Sequence, residues 1–189
     1  MTSSGRLILM RHGETEWSRD HKHTSFTDVP LTAPGADQAR ALGKRLAGHD
    51  FAAVFVSPLQ RARQTCEIAG FGSRAEVLDD LREWNYGEYE GLTTIEIRES
   101  RPGWTVWSDG PAGGESPDEV GRRADRVIEG AVVGGGDVAL FGHGHMLRVI
   151  AARWIGLPAS EGARLRLETA TMSTLGYERE TRVILTWNA

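Results

Sequence analysis

The sequence predicts an α/β fold, a mainly parallel sheet covered by helices on both faces, and three observations carry that expectation. Short apolar runs alternate with segments of helical period for most of the chain. Three of those runs end in polar residues, Arg11-His12, Ser57 and His143, at the kind of strand end where ligands gather in such sheets. The length of 189 residues suits one compact domain spanning 1–189, because a single core commonly serves roughly 100–200 residues.

The first strand is the apolar run 6–10, which ends at Arg11-His12-Gly13. Residues 14–29 are polar and without steady period. Thr32 then caps a helix with Pro34 and Gly35 in its first turn and apolar residues at Ala39, Leu42 and Leu46. A second strand, 53–56, stops at Ser57-Pro58 and is followed by a helix from 59 to about 70, with Ala62, Thr65, Cys66 and Ala69 on one face. Residues 75–78 form a short third strand and 92–98 a short helix, before a Pro/Gly/Trp-rich excursion over 101–114. Ser116-Pro117-Asp118-Glu119 has the order of cap, proline and acids that opens a helix, which runs through Val120, Ala124, Val127 and Ile128 to the Gly134-Gly135-Gly136 break. Strand 138–141 ends at Gly142-His143-Gly144, a helix covers 146–155, and 171–187 alternates as a hairpin turning at Glu178-Arg179-Glu180.

Composition narrows the function. No apolar run is long enough for a signal-peptide core or a membrane span, so the cytoplasm is the expected compartment and no membrane partner is expected. A net charge of −4 argues against a nucleic-acid surface. The one cysteine, Cys66, excludes an internal disulfide and reads as a small buried apolar residue. Among 22 basic residues only Lys22 and Lys44 are lysines. The arginine excess is read as compositional, which leaves function to a few arginines at particular positions.

The three strand ends point to phosphoryl transfer. A histidine accepts a phosphoryl group when one ring nitrogen is neutral and a hydrogen bond fixes the other. Glycine beside His12 lets the chain turn sharply, and Arg11 supplies a planar fork for phosphate oxygens. Arg61 and His143 complete a positive cradle, which can neutralise the transferred group without a metal. The same charges disfavour the imidazolium, so His12 is expected to stay nucleophilic in mildly acidic solution. Glu83, ahead of an aromatic and glycine stretch, is the candidate proton donor; desolvation and the phosphate charge would both favour its protonated form.

The segment Leu9-Met10-Arg11-His12-Gly13-Glu14-Thr15-Glu16-Trp17 resembles the signature of the histidine phosphatase superfamily, the phosphoglycerate mutase-like group. The resemblance continues through Asp28-Val29-Pro30-Leu31-Thr32-Ala33-Pro34-Gly35, Ser57-Pro58-Leu59-Gln60-Arg61, Glu83 to Gly91 and Gly142-His143-Gly144-His145. It implies a three-layer α/β/α sandwich with a mostly parallel central sheet. It implies His12 as the phosphorylated residue, Glu83 as the proton donor, and Arg11, Arg61 and His143 around the phosphate. Ser18 and Thr24 stand where the family has phosphate-contacting groups, and Tyr86 where it has a substrate contact. Ser25 departs from the pattern, since a glycine usually follows the threonine.

The string from Leu81 to Gly91, together with His143-Gly144-His145-Met146-Leu147-Arg148, is similar to a narrower branch of acid phosphatases and sedoheptulose-1,7-bisphosphatases. That similarity implies Arg148 as a contact to a distal phosphate, with Gly144 and His145 lining the pocket. The expected function is hydrolysis of small phosphorylated metabolites, sugar phosphates first, with no cofactor. The alternatives are a 2,3-bisphosphoglycerate-dependent phosphoglycerate mutase and a non-catalytic phosphoprotein-binding relative. Mutases carry an added basic segment, whereas residues 93–116 hold only Arg98 and Arg101 as cations, which favours a hydrolase. His21-Lys22-His23 and His143-Gly144-His145 have metal-pair spacing but lack an evident third ligand, so no metal is expected. His49 reads as a surface residue, the tryptophans mainly as packing, and Arg122, Arg123 and Arg126 as a solvated helix face. The resemblance also allows for a homodimer.

Overall fold

The computed structural model describes residues 5–189. Strands β1 (Leu7–Arg11), β2 (Ala53–Val56), β3 (Ala75–Val77), β4 (Val138–Gly142), β5 (Met172–Glu178) and β6 (Thr181–Thr186) form a sheet in the order β3-β2-β4-β1-β5-β6. The pairs β2–β3, β2–β4 and β1–β4 are parallel, while β5 runs antiparallel to β1 and carries β6 as an antiparallel edge. The central strands β1 and β4 are apolar without alternation because both of their faces are covered. Leu7, Leu9, Val138 and Leu140 enter one core, and Ile8, Met10, Ala139 and Phe141 the other.

Helices α1 (Glu16–Arg19), α2 (Ala33–Leu46), α3 (Gln60–Ile68), α4 (Thr94–Ser100), α5 (Pro117–Val132) and α6 (Gly144–Trp154) complete the layers. Leu42 and Leu46 of α2 and Ala62 and Cys66 of α3 cover one face of the sheet. Val120, Ala124 and Val127 of α5 with Met146 and Ile150 of α6 cover the other. Burial pushes the Cys66 thiol up to about 12, so it behaves as the small apolar group its pattern suggests. Among the described residues no helix is long and apolar enough to cross a membrane.

Local signals account for most element ends. Thr32 caps α2 through the Gly35 amide, and Ser116 with Glu119 forms a reciprocal capping box on α5. Several expected bounds shift, among them the helix expected at 92–98, which is α4 at Thr94–Ser100. The 14–29 stretch contains the one-turn helix α1, held by a Thr15/Ser18 capping box. Helix α6 begins at Gly144 rather than 146, although its cap position, His143, makes no side-chain capping bond. The hairpin turns at the expected place, with Arg179 at φ 57°.

Placing β4 between β1 and β2 brings the carboxyl ends of the three strands side by side. The pairing continues one residue beyond each neighbour: the His12 amide donates to Gly142 O at 3.0 Å and the Ser57 amide to Phe141 O at 3.0 Å.

Candidate active site

His12 emerges at the end of β1 where the chain must pass very close to α2. A Cβ at Gly13 would stand 2.3 Å from Gly35 O, so only glycine fits. The Gly13 amide donates to Thr65 Oγ1 at 3.0 Å, which fixes the turn. His12 Nδ1 lies 2.7 Å from Gly13 O. A carbonyl only accepts, so Nδ1 carries the hydrogen and Nε2 keeps its lone pair. The ring is 5 % exposed, and its proton affinity falls well below the usual imidazole value, through burial first and then the charges of Arg61 and Arg11.

The His143 ring stands 5.2 Å from that of His12, centre to centre. Arg61 Nε donates to His143 Nδ1 at 3.2 Å, and His143 Nε2 is 2.7 Å from Ser57 Oγ. Burial, followed by Arg61, keeps this imidazole neutral as well. The other Arg61 donors reach the carbonyls of Thr27 at 3.2 Å, Thr24 at 3.0 Å and Ser25 at 3.3 Å. Arg61 and His143 thus lie just beneath the open pocket, bracing both His12 and the loop at its rim. Ser25 occupies the loop with ordinary backbone, its amide donating to the Glu90 carboxylate at 2.8 Å.

Glu83 approaches from the other side. Its carboxylate accepts from the backbone amides of Trp84 at 3.0 Å, His145 at 3.0 Å and Met146 at 2.8 Å. This explains the early start of α6: the carboxylate satisfies the free amides of its first turn, as a capping side chain would. Arg11 fits against Gly144, where a Cβ would be 3.3 Å from the guanidinium carbon, and its buried Nε has no partner. An acceptor entering the pocket would find that donor waiting.

These groups surround a cavity of about 330 Å³, walled farther out by His23, Tyr86, Trp104, Trp107, His145 and Arg148. Tyr86 is 1 % exposed and its hydroxyl meets His145 Nδ1. Burial and neighbouring Glu83 push the phenol well above its usual range, so it stays a hydrogen donor. Arg148 lies 4.4 Å from the centre of the Trp107 ring and donates to Gly162 O at 2.9 Å and Ala163 O at 3.0 Å. Ser18 and Thr24 also line the cavity, but their hydroxyls donate locally, to Thr15 O and Lys22 O, both at 3.0 Å.

A family model described as histidine phosphatase superfamily (branch 1) matches residues 7–189. The chain belongs to this family. It is 42 % identical to an acid phosphatase of Mycobacterium tuberculosis over 94 % of this chain and 89 % of that protein. It is 37 % identical to a sedoheptulose 1,7-bisphosphatase of Saccharomyces cerevisiae, covering 87 % and 71 % of the two chains. A solved structure of the Mycobacterium tuberculosis open reading frame Rv3214 superposes with a TM-score of 0.92, at 39 % identity and 97 % coverage of each chain. The protein is therefore a phosphatase.

This histidine phosphatase contains three contributions that its sequence does not announce. Glu90 ties down the 25–27 loop, accepting from the amides of Ser25 and Thr27. His23 Nδ1 engages Leu92 O at 2.9 Å and its ring packs edge-on to Tyr86 and Trp104, which fixes one wall of the pocket. Arg123 is 8 % exposed, which corrects its assignment to a solvated face; Arg122 and Arg126 are exposed as that pattern predicts. The spacing itself carries the signal, since residue 123 stands three after Val120 and four before Val127 on the buried face of α5.

Proposed function

We propose that this phosphatase transfers the phosphoryl group of a small phosphorylated metabolite, a sugar phosphate first, to Nε2 of His12 and then to water. The observation that carries the reading is the 2.7 Å contact of His12 Nδ1 with Gly13 O, which leaves Nε2 unprotonated on a ring held neutral by burial and two guanidiniums.

In the first step the Nε2 lone pair forms a P–N bond as the P–O ester bond breaks, and the departing oxygen takes the proton of Glu83. In the second step the Glu83 carboxylate takes a proton from water as its oxygen attacks phosphorus. The P–N electrons return to Nε2 and orthophosphate leaves. Arg11 meets the equatorial oxygens in both steps, while the Arg61 guanidinium, held by His143 and the rim carbonyls, adds positive charge from beneath. Ser18, Thr24 and Gly144 shape the phosphate end. Tyr86 and His145 hold the substrate's hydroxyl-bearing part, and Arg148 takes a second anionic group where the substrate has one.

Aromatic rings, imidazoles and the cations Arg11, Lys22, Arg98 and Arg148 around a cavity of about 330 Å³ suit a phosphorylated sugar better than a macromolecule. The test is a screen of phosphorylated metabolites for phosphate release beside a His12→Ala control. Preferential release from sugar bisphosphates supports the narrower bisphosphatase reading, and broad release with an acidic optimum supports a general acid phosphatase. Release that survives in His12→Ala contradicts the mechanism.

A further inference from the structure

We infer that Arg123 is a positioning residue for Glu83, clamping the loop that carries the proton donor against the start of α6; the inference rests on the reading of Glu83 given above. Burying a guanidinium is costly unless its donors are used, and those of Arg123 are divided between the Glu115 carboxylate and the 80–83 backbone. Nε and Nη2 grip the Glu115 carboxylate at 3.0 and 2.7 Å. Nη1 donates to the carbonyls of Asp80, at 2.9 Å, and of Arg82, and Nη2 to that of Glu83 at 3.3 Å.

Glu115 extends the clamp to the other side of Glu83. Its carboxylate accepts the Asn85 amide at 2.9 Å, its carbonyl accepts Trp84 Nε1 at 2.8 Å, and its amide donates to Asn85 O at 3.0 Å. Residues 82–86 belong to no helix or strand, so this ion pair supplies the partners that regular structure would otherwise provide. The same guanidinium lies 3.4 Å from Met146 Sδ, and the Met146 amide holds Glu83 Oε1. One side chain therefore touches both the loop bearing the carboxyl and the helix turn that receives it.

The consequence is specific to proton donation. An alkyl phosphate expels a strongly basic alkoxide and depends on a well-placed acid, whereas 2,4-dinitrophenyl phosphate expels a stable anion and does not. Displacing Glu83 should therefore raise the ratio of kcat/KM on the dinitrophenyl ester to kcat/KM on an alkyl phosphate. The ratio cancels any loss of folded enzyme, so a merely structural role leaves it unchanged.

The experiment measures this ratio for the wild type, Glu83→Gln, Arg123→Lys and Glu115→Gln. Lysine keeps the charge but lacks the planar fork. Glutamine at 115 keeps the shape and serves if Arg123→Lys yields no folded protein. The expected result is a ratio raised about tenfold or more in Arg123→Lys and Glu115→Gln, with no further rise when Arg123→Lys is combined with Glu83→Gln. A wild-type ratio in both variants, beside a raised ratio in Glu83→Gln, overturns the inference alone. An unchanged ratio in Glu83→Gln itself overturns the assignment of Glu83 as proton donor, and this inference with it.

Discussion

Arg61 Nε donates to Nδ1 of His143 at 3.2 Å, across 82 positions of sequence, and thereby sets the tautomer of the imidazole beside His12. The proton must then sit on Nε2, facing Ser57 Oγ. Because the same guanidinium holds the carbonyls of Thr24, Ser25 and Thr27, the neutral state of His143 and the position of the pocket rim are tied to one side chain. Lysine cannot serve those directions together. Arg61→Lys should lower kcat/KM by about 100-fold or more and speed amide exchange over residues 24–27. Wild-type exchange and activity in this variant would contradict that coupling.

A second prediction concerns the turn after β1. Adding a methyl at Gly13 forces it against the Gly35 carbonyl, where backbone on both sides leaves little room to yield. Gly13→Ala is expected to cost about 1–3 kcal/mol or more of stability, read as a lower urea midpoint, and to remove most activity by displacing His12. A variant of wild-type midpoint and rate would show that the turn has slack.

Stability should depend on pH in a defined sense. His12, His23 and His143 are buried, and each has its proton affinity pushed below the usual imidazole value near 6.5, burial being the largest cause. Unfolding returns them to that value, so below pH 6.5 the unfolded chain binds more protons than the folded one. Their contribution is complete above pH 6.5 and is lost as pH falls towards the depressed folded values. The limiting slope is about 1.4 kcal/mol per group per pH unit. Urea midpoints should fall between pH 7 and pH 5 while NMR still shows a neutral His12 ring in the folded enzyme; a flat midpoint would show that these rings are not kept neutral by folding.

Arg148 separates substrates with one anionic group from those with two. Its guanidinium is oriented by Trp107 and two carbonyls, so it is preset rather than recruited on binding. Arg148→Met should raise KM for a sugar bisphosphate about tenfold or more and leave 2,4-dinitrophenyl phosphate within about twofold. Equal losses on both would place the effect on the phosphate common to them.

What the sequence revealed and what it hid follow one physical division. His12, Ser57 and His143 could be grouped in advance because each ends an apolar run, and parallel sheets gather such ends. The Ser116 cap with its following proline and acids is equally readable, being local, whereas the equally local Thr93/Glu96 box sets a start at Thr94 that the apolar pattern places at 92. The start of α6 was not, because its first amides are satisfied by Glu83 from some sixty residues away. The burial of Arg123 is legible in its spacing from Val120 and Val127, but its partners, Glu115 and the 80–83 carbonyls, reach it only through tertiary packing. The hydroxyls of Ser18 and Thr24 fell in the pocket as expected, yet both donate to their own backbone neighbourhood.

The central claim is that a neutral, buried imidazole at the end of β1 receives the phosphoryl group. Rapid-quench trapping with a ³²P-labelled substrate, followed by peptide mapping, tests it most directly. The account predicts a transient label that is acid-labile and base-stable, confined to the peptide containing His12 and absent in His12→Ala. Steady turnover with no label at any quench time, or label on another residue, would contradict it.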